Sequence, residues 1–111
     1  MSKSILQPDE KVCFLTGTKS MLDKHHIYHG IGKRTLAEKY GCWVWLNHSV
    51  HMLLHDKEKQ LDKYLQQVCQ RKFEETHTRE EFRAIFGKSY LLDDDVNDDD
   101  VLSILSNNYI Y

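Results

Sequence analysis

The 111-residue sequence predicts an α+β domain, and three observations carry that reading. Short apolar and aromatic runs punctuated by glycine fill the first half and read as strands and turns. The second half, from His48 onward, is rich in helix formers with apolar residues at helical spacing. The chain has 41% hydrophobic and 29% charged residues, the balance of an ordinary folded domain.

Residues 1–11 read as a loose lead-in containing Pro8, the chain's one proline. "VCFLTG" (12–17) predicts a short strand ending in a turn at Gly17. "MLDKHHIY" (21–28) predicts a second extended segment, and the glycines of "GIGK" (30–33) mark a loop. "KRTLAEKYG" (33–41) predicts a short helix closed by Gly41. "CWVWL" (42–46) is aromatic and β-branched, hence a strand; its incomplete alternation suggests cover on both faces.

The stretch 48–75 is helical in composition, with a break expected near Asp56 to Lys59, where apolar periodicity lapses. Beyond it, Leu61, Tyr64, Leu65, Val68, Cys69 and Phe73 form one apolar stripe. Thr78 and Glu81 make a capping box, Phe82, Ile85 and Phe86 supply a buried face, and Gly87 closes that helix.

Charge is distributed unevenly. Six Asp lie in "DDDVNDDD" (93–100), while residues 1–92 carry 15 basic and 11 acidic side chains, a net +4. A mildly basic body with an acidic tail fits a nucleic-acid partner or plain solvated surface. The domain division follows: residues 1–92 as the body, 93–111 as an acidic and then apolar tail. The acidic run reads as a loose end. The final "VLSILSNNYIY" is apolar enough to dock as a short helix or strand, and the run could lie over the basic face and limit access to it.

Several classes are set aside. No apolar run approaches the roughly 20 residues a bilayer span requires, so no membrane partner is expected. The polar start "MSKSILQPDEK" lacks the apolar stretch of a signal peptide, which leads to an expected cytoplasmic location. Cys13, Cys42 and Cys69 are odd in number and form no C-x-x-C pair; each reads as a small buried hydrophobe.

The chemistry lies in the histidines, seven in all. His51 and His55 in "NHSVHMLLHDK" are four apart, so on a helix they stand one turn above the other and can reach one ion. His25 and His26 are adjacent in an extended segment, where neighbours point to opposite faces. One can ligate while the other points toward a substrate. This gives His25 as third metal ligand and His26 as general base, since a neutral imidazole can take a proton from water. Three imidazoles leave positions open on a metal for a phosphate oxygen.

"KHHI", "WVWLN" and "HMLLH" together resemble the HNH, or ββα-metal (His-Me finger), nucleases, above all the colicin-type DNases with their double histidine and H-x-x-x-H helix. The 25-residue interval from His26 to His51 suits that motif's loop and second strand. "EKYGCWVWL" and the trailing "FEETHTREEFRAIFGKSY" resemble small HNH proteins of bacteriophages, and the likeness runs over about residues 12–90. The resemblance implies a ββα-metal core with a C-terminal helical extension. It also implies phosphodiester hydrolysis on DNA by a phage-encoded enzyme in a bacterial cytoplasm. By position, His25, His51 and His55 match the ligands of one divalent ion (Mg²⁺, Mn²⁺, Ni²⁺ or Zn²⁺), and His26 matches the base.

Two features depart from the family. Cys13 is followed by Thr16, and Asn47 and Ser49 stand where a second cysteine pair would hold a structural zinc, so hydrophobic packing must carry the fold. The family's middle Asn, which braces the loop holding the base, has Asn47 as its nearest counterpart. That residue reads equally as the N-cap of the helix starting near His48.

Lys33 and Arg34, presented by "GIGKR", are the preferred phosphate contacts; Lys24 is a third candidate. His29 reads as a loop residue, with contact to a metal ligand or to a phosphate as its alternative, and His48 as facing solvent. Trp43 and Trp45 read as core, and Tyr28 as packing beside the site.

The expected function is therefore a metal-dependent DNA endonuclease. The alternative is a catalytically degenerate HNH-fold protein that binds nucleic acid or inhibits a host protein; a structural zinc module comes third. Cutting both DNA strands often calls for a homodimer, and the apolar tail is a candidate surface for a protein partner.

Overall fold

A computed structural model describes residues 3–91 and 95–108. The described residues form two strands and five helices, an α+β arrangement with an antiparallel strand pair. In chain order they are β1 (Leu22–His26), α1 (Lys33–Tyr40), β2 (Trp43–Asn47), α2 (His48–Asp56), α3 (Lys59–Phe73), α4 (Arg79–Phe86) and α5 (Asp98–Asn107).

The register pairs Leu22 with Asn47, His25 with Val44 and His26 with Trp43. Helix α1 lies within the β1–β2 connection and is closed by Gly41 at φ 72, the left-handed cap its sequence predicts. At the far end of β2, Asn47 is both the last strand residue and the cap of α2: its side chain accepts from Ser49 N at 3.0 Å. Strand, strand and helix are thus joined into one unit with no spacer between β2 and α2.

The core gathers Ile27, Val44, Leu46, Val50, Leu54, Leu61, Leu65, Cys69, Phe82 and Phe86, each at most 1% exposed. Tyr28, fully buried, stacks among Phe82, Phe86 and Tyr90 and donates its hydroxyl proton to Gln66 O at 2.6 Å. Cys13, Cys42 and Cys69 are free and buried, packed as hydrophobes. Trp43 and Trp45 pack edge to face, with Lys24 over the first and Lys11 over the second. The Thr78–Glu81 capping box forms in full, and Gly87 ends α4.

Three expectations need correction. Residues 12–17 are not a strand: Cys13 N bonds Thr18 O, and Gly17 N bonds back to Cys13 O. The segment closes on itself as a turn and reaches β2 through Phe14 N to Trp45 O at 2.8 Å. The lead-in is not loose. Ser4 is buried and donates to Trp43 O at 2.5 Å, and the Gln7 carboxamide oxygen accepts from Trp45 N at 2.9 Å. The α3 stripe buries Gln67 and Gln70 more deeply than Val68. Gln67 takes the Val96 N–H, Gln70 takes the Tyr90 N–H and donates to Ser89, and so the segment after α4 is pinned to α3.

Beyond Val96 the chain folds as α5, with Val101 and Leu105 buried against the core. Its acidic residues fill the first turn, where the helix dipole favours them, and Asn97 and Asp100 form a capping box. Asp95 pairs with Arg71 at 2.6 Å and Asp98 accepts from Tyr64 at 2.6 Å, both on α3. The expectation for Asp93 and Asp94 lies outside the described residues. No described helix is long and apolar enough to cross a membrane.

Candidate metal centre

Strand alternation does what the paired histidines require. His25 is buried, 2% exposed, and points toward α2, where its ring centroid lies 5.1 Å from that of His51 and 5.6 Å from that of His55. His26 points to the other face and meets Glu38 of α1, Nε2 to Oε1 at 3.0 Å. On α2 the four-residue spacing stacks His51 over His55 with centroids 4.8 Å apart. One ligand atom from each of His25, His51 and His55 lies within 4.8 Å of the others, close enough to bind one metal ion.

The donor set fits such an ion. His51 and His55 bring their Nε2 atoms to 3.1 Å. Two nitrogens each bound to one zinc-like ion stand about 2.9–3.4 Å apart, depending on coordination geometry. Asp23 Oδ2 contacts His51 Nδ1 at 3.0 Å and His48 Nδ1 at 2.7 Å. Those hydrogen bonds, from His51 and then His48, hold the Asp23 carboxyl below its usual range. An ionised carboxylate only accepts, so His51 carries its proton on Nδ1 and turns a lone pair on Nε2 into the cleft.

Burial lowers His25, an effect that Asp62 partly offsets and the nearby His51 and His55 reinforce. Burial, with His51 and His29 close by, lowers His55. Both rings are therefore held neutral, the form that binds metal.

A second group lies beside this set. Lys24 Nζ and His26 Nε2 share Glu38 Oε1, at 2.7 and 3.0 Å, and those two hydrogen bonds hold Glu38 ionised. His26 therefore donates through Nε2 and keeps its lone pair on Nδ1. A cleft of about 310 Å³ is lined by Lys24, His25, His26, His29, Arg34, His51 and His55, so the candidate ligands and the candidate base open onto one space.

Of the two cations preferred from sequence, Arg34 lines this cleft; Lys33, the first residue of α1, is not among its lining residues. Asn47 lies opposite Leu22, at the other end of the strand pair from His26. Its side chain caps α2 and donates to Ser20 O at 3.0 Å, so it braces the entry to β1.

Sequence reasoning missed three carboxylates: Asp23, Glu38 and Asp62. Asp23 was within reach of a period-two argument, since it shares a strand face with His25. Glu38 and Asp62 arrive from other elements with no local pattern to announce them. His29 contacts Asp62, Nε2 to Oδ2 at 3.0 Å, and also lines the cleft. His48, 56% exposed at its side chain, also touches Asp23.

No protein-family model, curated protein or solved structure matches this chain.

Proposed function

We propose that the chain is a metal-dependent DNA endonuclease on a ββα-metal core. The observation that carries this reading is the placement of two adjacent histidines on opposite faces of β1. His25 joins His51 and His55 within 4.8 Å, while its neighbour His26 faces the same cleft from the opposite strand face with its own carboxylate partner.

A divalent ion (Mg²⁺, Mn²⁺, Ni²⁺ or Zn²⁺) held by the three imidazoles would supply Lewis-acid stabilisation of charge on a bound phosphodiester. The remaining work falls to the chain's own residues. Arg34 and Lys24 present cations where the DNA backbone would lie, fixing position without reading bases. Glu38 orients the His26 ring and leaves Nδ1 free to take a proton. The attacking water gives that proton to His26 as its oxygen bonds to phosphorus. The phosphorus–oxygen ester bond breaks, and the departing alkoxide is protonated from solvent. Glu38 then stabilises the imidazolium.

The test is plasmid nicking by the full chain with each ion, wild type against His26→Ala. Cleavage by the wild type, lost in the variant while metal binding persists, is the expected result. Intact plasmid in every metal, with DNA or protein binding retained, would instead assign the fold a silent binding or inhibitory role. Absence of cleavage together with unfolding in chelator would assign it a structural zinc role.

A further inference from the structure

The turn between β1 and α1 raises one apolar side chain beside the cleft. Gly30 O accepts from Lys33 N at 3.2 Å, and Gly32, at φ 78 and ψ −17, takes the third position of a type II turn. Ile31 therefore stands at the corner. It is fully exposed, at 105%, the highest among the exposed large apolar side chains, with Met21 next at 71%. A Cβ added at Gly30 or Gly32 would meet nothing within 4 Å, so the space on both sides of Ile31 is open. His29 and Arg34, before and after the turn, both line the cleft, which puts Ile31 at its rim. From residue 24 to residue 37 the chain carries Lys24, Lys33 and Arg34 and no acidic side chain.

We propose that Ile31 is an apolar wedge that enters between adjacent base steps of DNA held at the cleft. This rests on the reading that the cleft takes a DNA phosphodiester. A single exposed apolar side chain is ordinary on a protein surface. One raised on a hydrogen-bonded turn, with two cations directly after it, matches a polyanion whose stacked interior is apolar. Lys33 and Arg34 meet backbone phosphates, and that attraction holds the duplex against the turn without reading sequence. Isoleucine and other apolar side chains inserted between base steps partly unstack them and kink the duplex. The turn's hydrogen bond and the start of α1 directly behind it fix the Ile31 backbone before DNA arrives, so little conformational freedom is lost on insertion. The kink falls beside the cleft, where it turns a phosphodiester out of the regular duplex toward the histidines.

The experiment uses the full chain carrying His26→Ala and loaded with Zn²⁺, so that the metal stays and the DNA is not cut. The probes are short duplexes, each with one 2-aminopurine at a different position, a base that brightens when it is unstacked. At low salt the parent protein should raise the fluorescence of at least one duplex about threefold. Adding Ile31→Ala should abolish that rise and weaken binding about tenfold, with the salt dependence unchanged because the phosphate contacts remain. Ile31→Leu, which keeps an apolar wedge, should restore the rise. The side chain is fully exposed, so neither variant disturbs the core, and circular dichroism checks this. DNA binding by the parent with no rise in any duplex overturns the inference and leaves the DNA reading of the cleft standing. So does an equal rise with Ile31→Ala. No DNA bound by the parent overturns both. Binding to phosphatidylglycerol vesicles that Ile31→Ala abolishes, with no unstacking of DNA, overturns the inference and assigns the turn to an anionic membrane surface.

Discussion

Asp23 Oδ2 stands 3.0 Å from His51 Nδ1, and that one contact decides which ring nitrogen faces the cleft. The carboxylate comes from β1 and the imidazole from α2, so the strand pair sets the helix's ligand in its tautomer. Removing the acceptor should leave His51 free to place its proton on Nε2. Asp23→Ala is expected to weaken metal binding about 10–100-fold with the fold unchanged. Calorimetry with Zn²⁺ beside a circular dichroism spectrum checks both halves. An affinity equal to wild type would remove Asp23 from the centre.

Metal should also stabilise the folded chain. Free ion at about 100 times its dissociation constant adds about 2.7 kcal/mol if only the folded state binds. The melting temperature should therefore rise with Zn²⁺ or Mn²⁺ in wild type and stay flat in His51→Ala. An equal rise in both proteins would mean that binding occurs elsewhere.

Glu38 holds His26, so Glu38→Gln tests orientation separately from proton transfer. Gln keeps a hydrogen-bond acceptor and loses the charge that steadies a protonated ring. Nicking is expected to fall in Glu38→Gln by less than in His26→Ala, with metal affinity unchanged in both. Rates of supercoil loss at fixed metal give the comparison, and full activity in Glu38→Gln would dismiss the dyad.

The pH dependence of the metal-free protein follows from the buried rings. His25 and His55 have folded pKa values below their unfolded ones. Between the two values the unfolded chain binds protons that the folded chain refuses, so stability rises with pH there. On acidification the loss begins near about 6.5, where a free histidine protonates. The carboxyls of Asp23, Glu38 and Asp62 are also held low, so their contribution is present above about 4 and disappears as pH falls further. Urea melts in chelator from pH 7.5 to 3 should show two successive declines; a flat profile down to pH 5 would contradict the first.

The core offers a stability test independent of chemistry. Phe82 is fully buried and its ring meets those of Tyr28, Phe73, Phe86 and Tyr90. Phe82→Ala should cost about 3–5 kcal/mol. Denaturant unfolding measures it, and a cost below about 1 kcal/mol would mean that α4 packs elsewhere.

Much of the fold could be read locally. Gly41, Thr78, Glu81 and Gly87 act within one turn of chain, so their roles as caps stand in the sequence. The same holds for His51 and His55, whose four-residue interval is helical geometry, and for the opposed His25 and His26. What escaped was long-range. Glu38 meets His26 across the turn from β1 to α1, and Asp62 meets His29 from α3. A carboxylate on a helix surface looks the same in sequence whether it faces water or a ligand. Gln67 and Gln70 escaped for a related reason: each is buried because the backbone around Ser89 to Val96 needs partners, a demand invisible in α3 itself. The 12–17 strand failed because the backbone of Cys13 pairs with Gly17 and Thr18 in a turn and not with a neighbouring strand.

Asn47 ends β2 and His48 begins α2, so the junction has no slack. One inserted residue there would swing both His51 and His55 about the helix axis by about 100°, away from His25 as a pair. Length variation among descendants of this chain should thus be barred between Leu46 and His51, while point changes at the exposed Ser49 are tolerated.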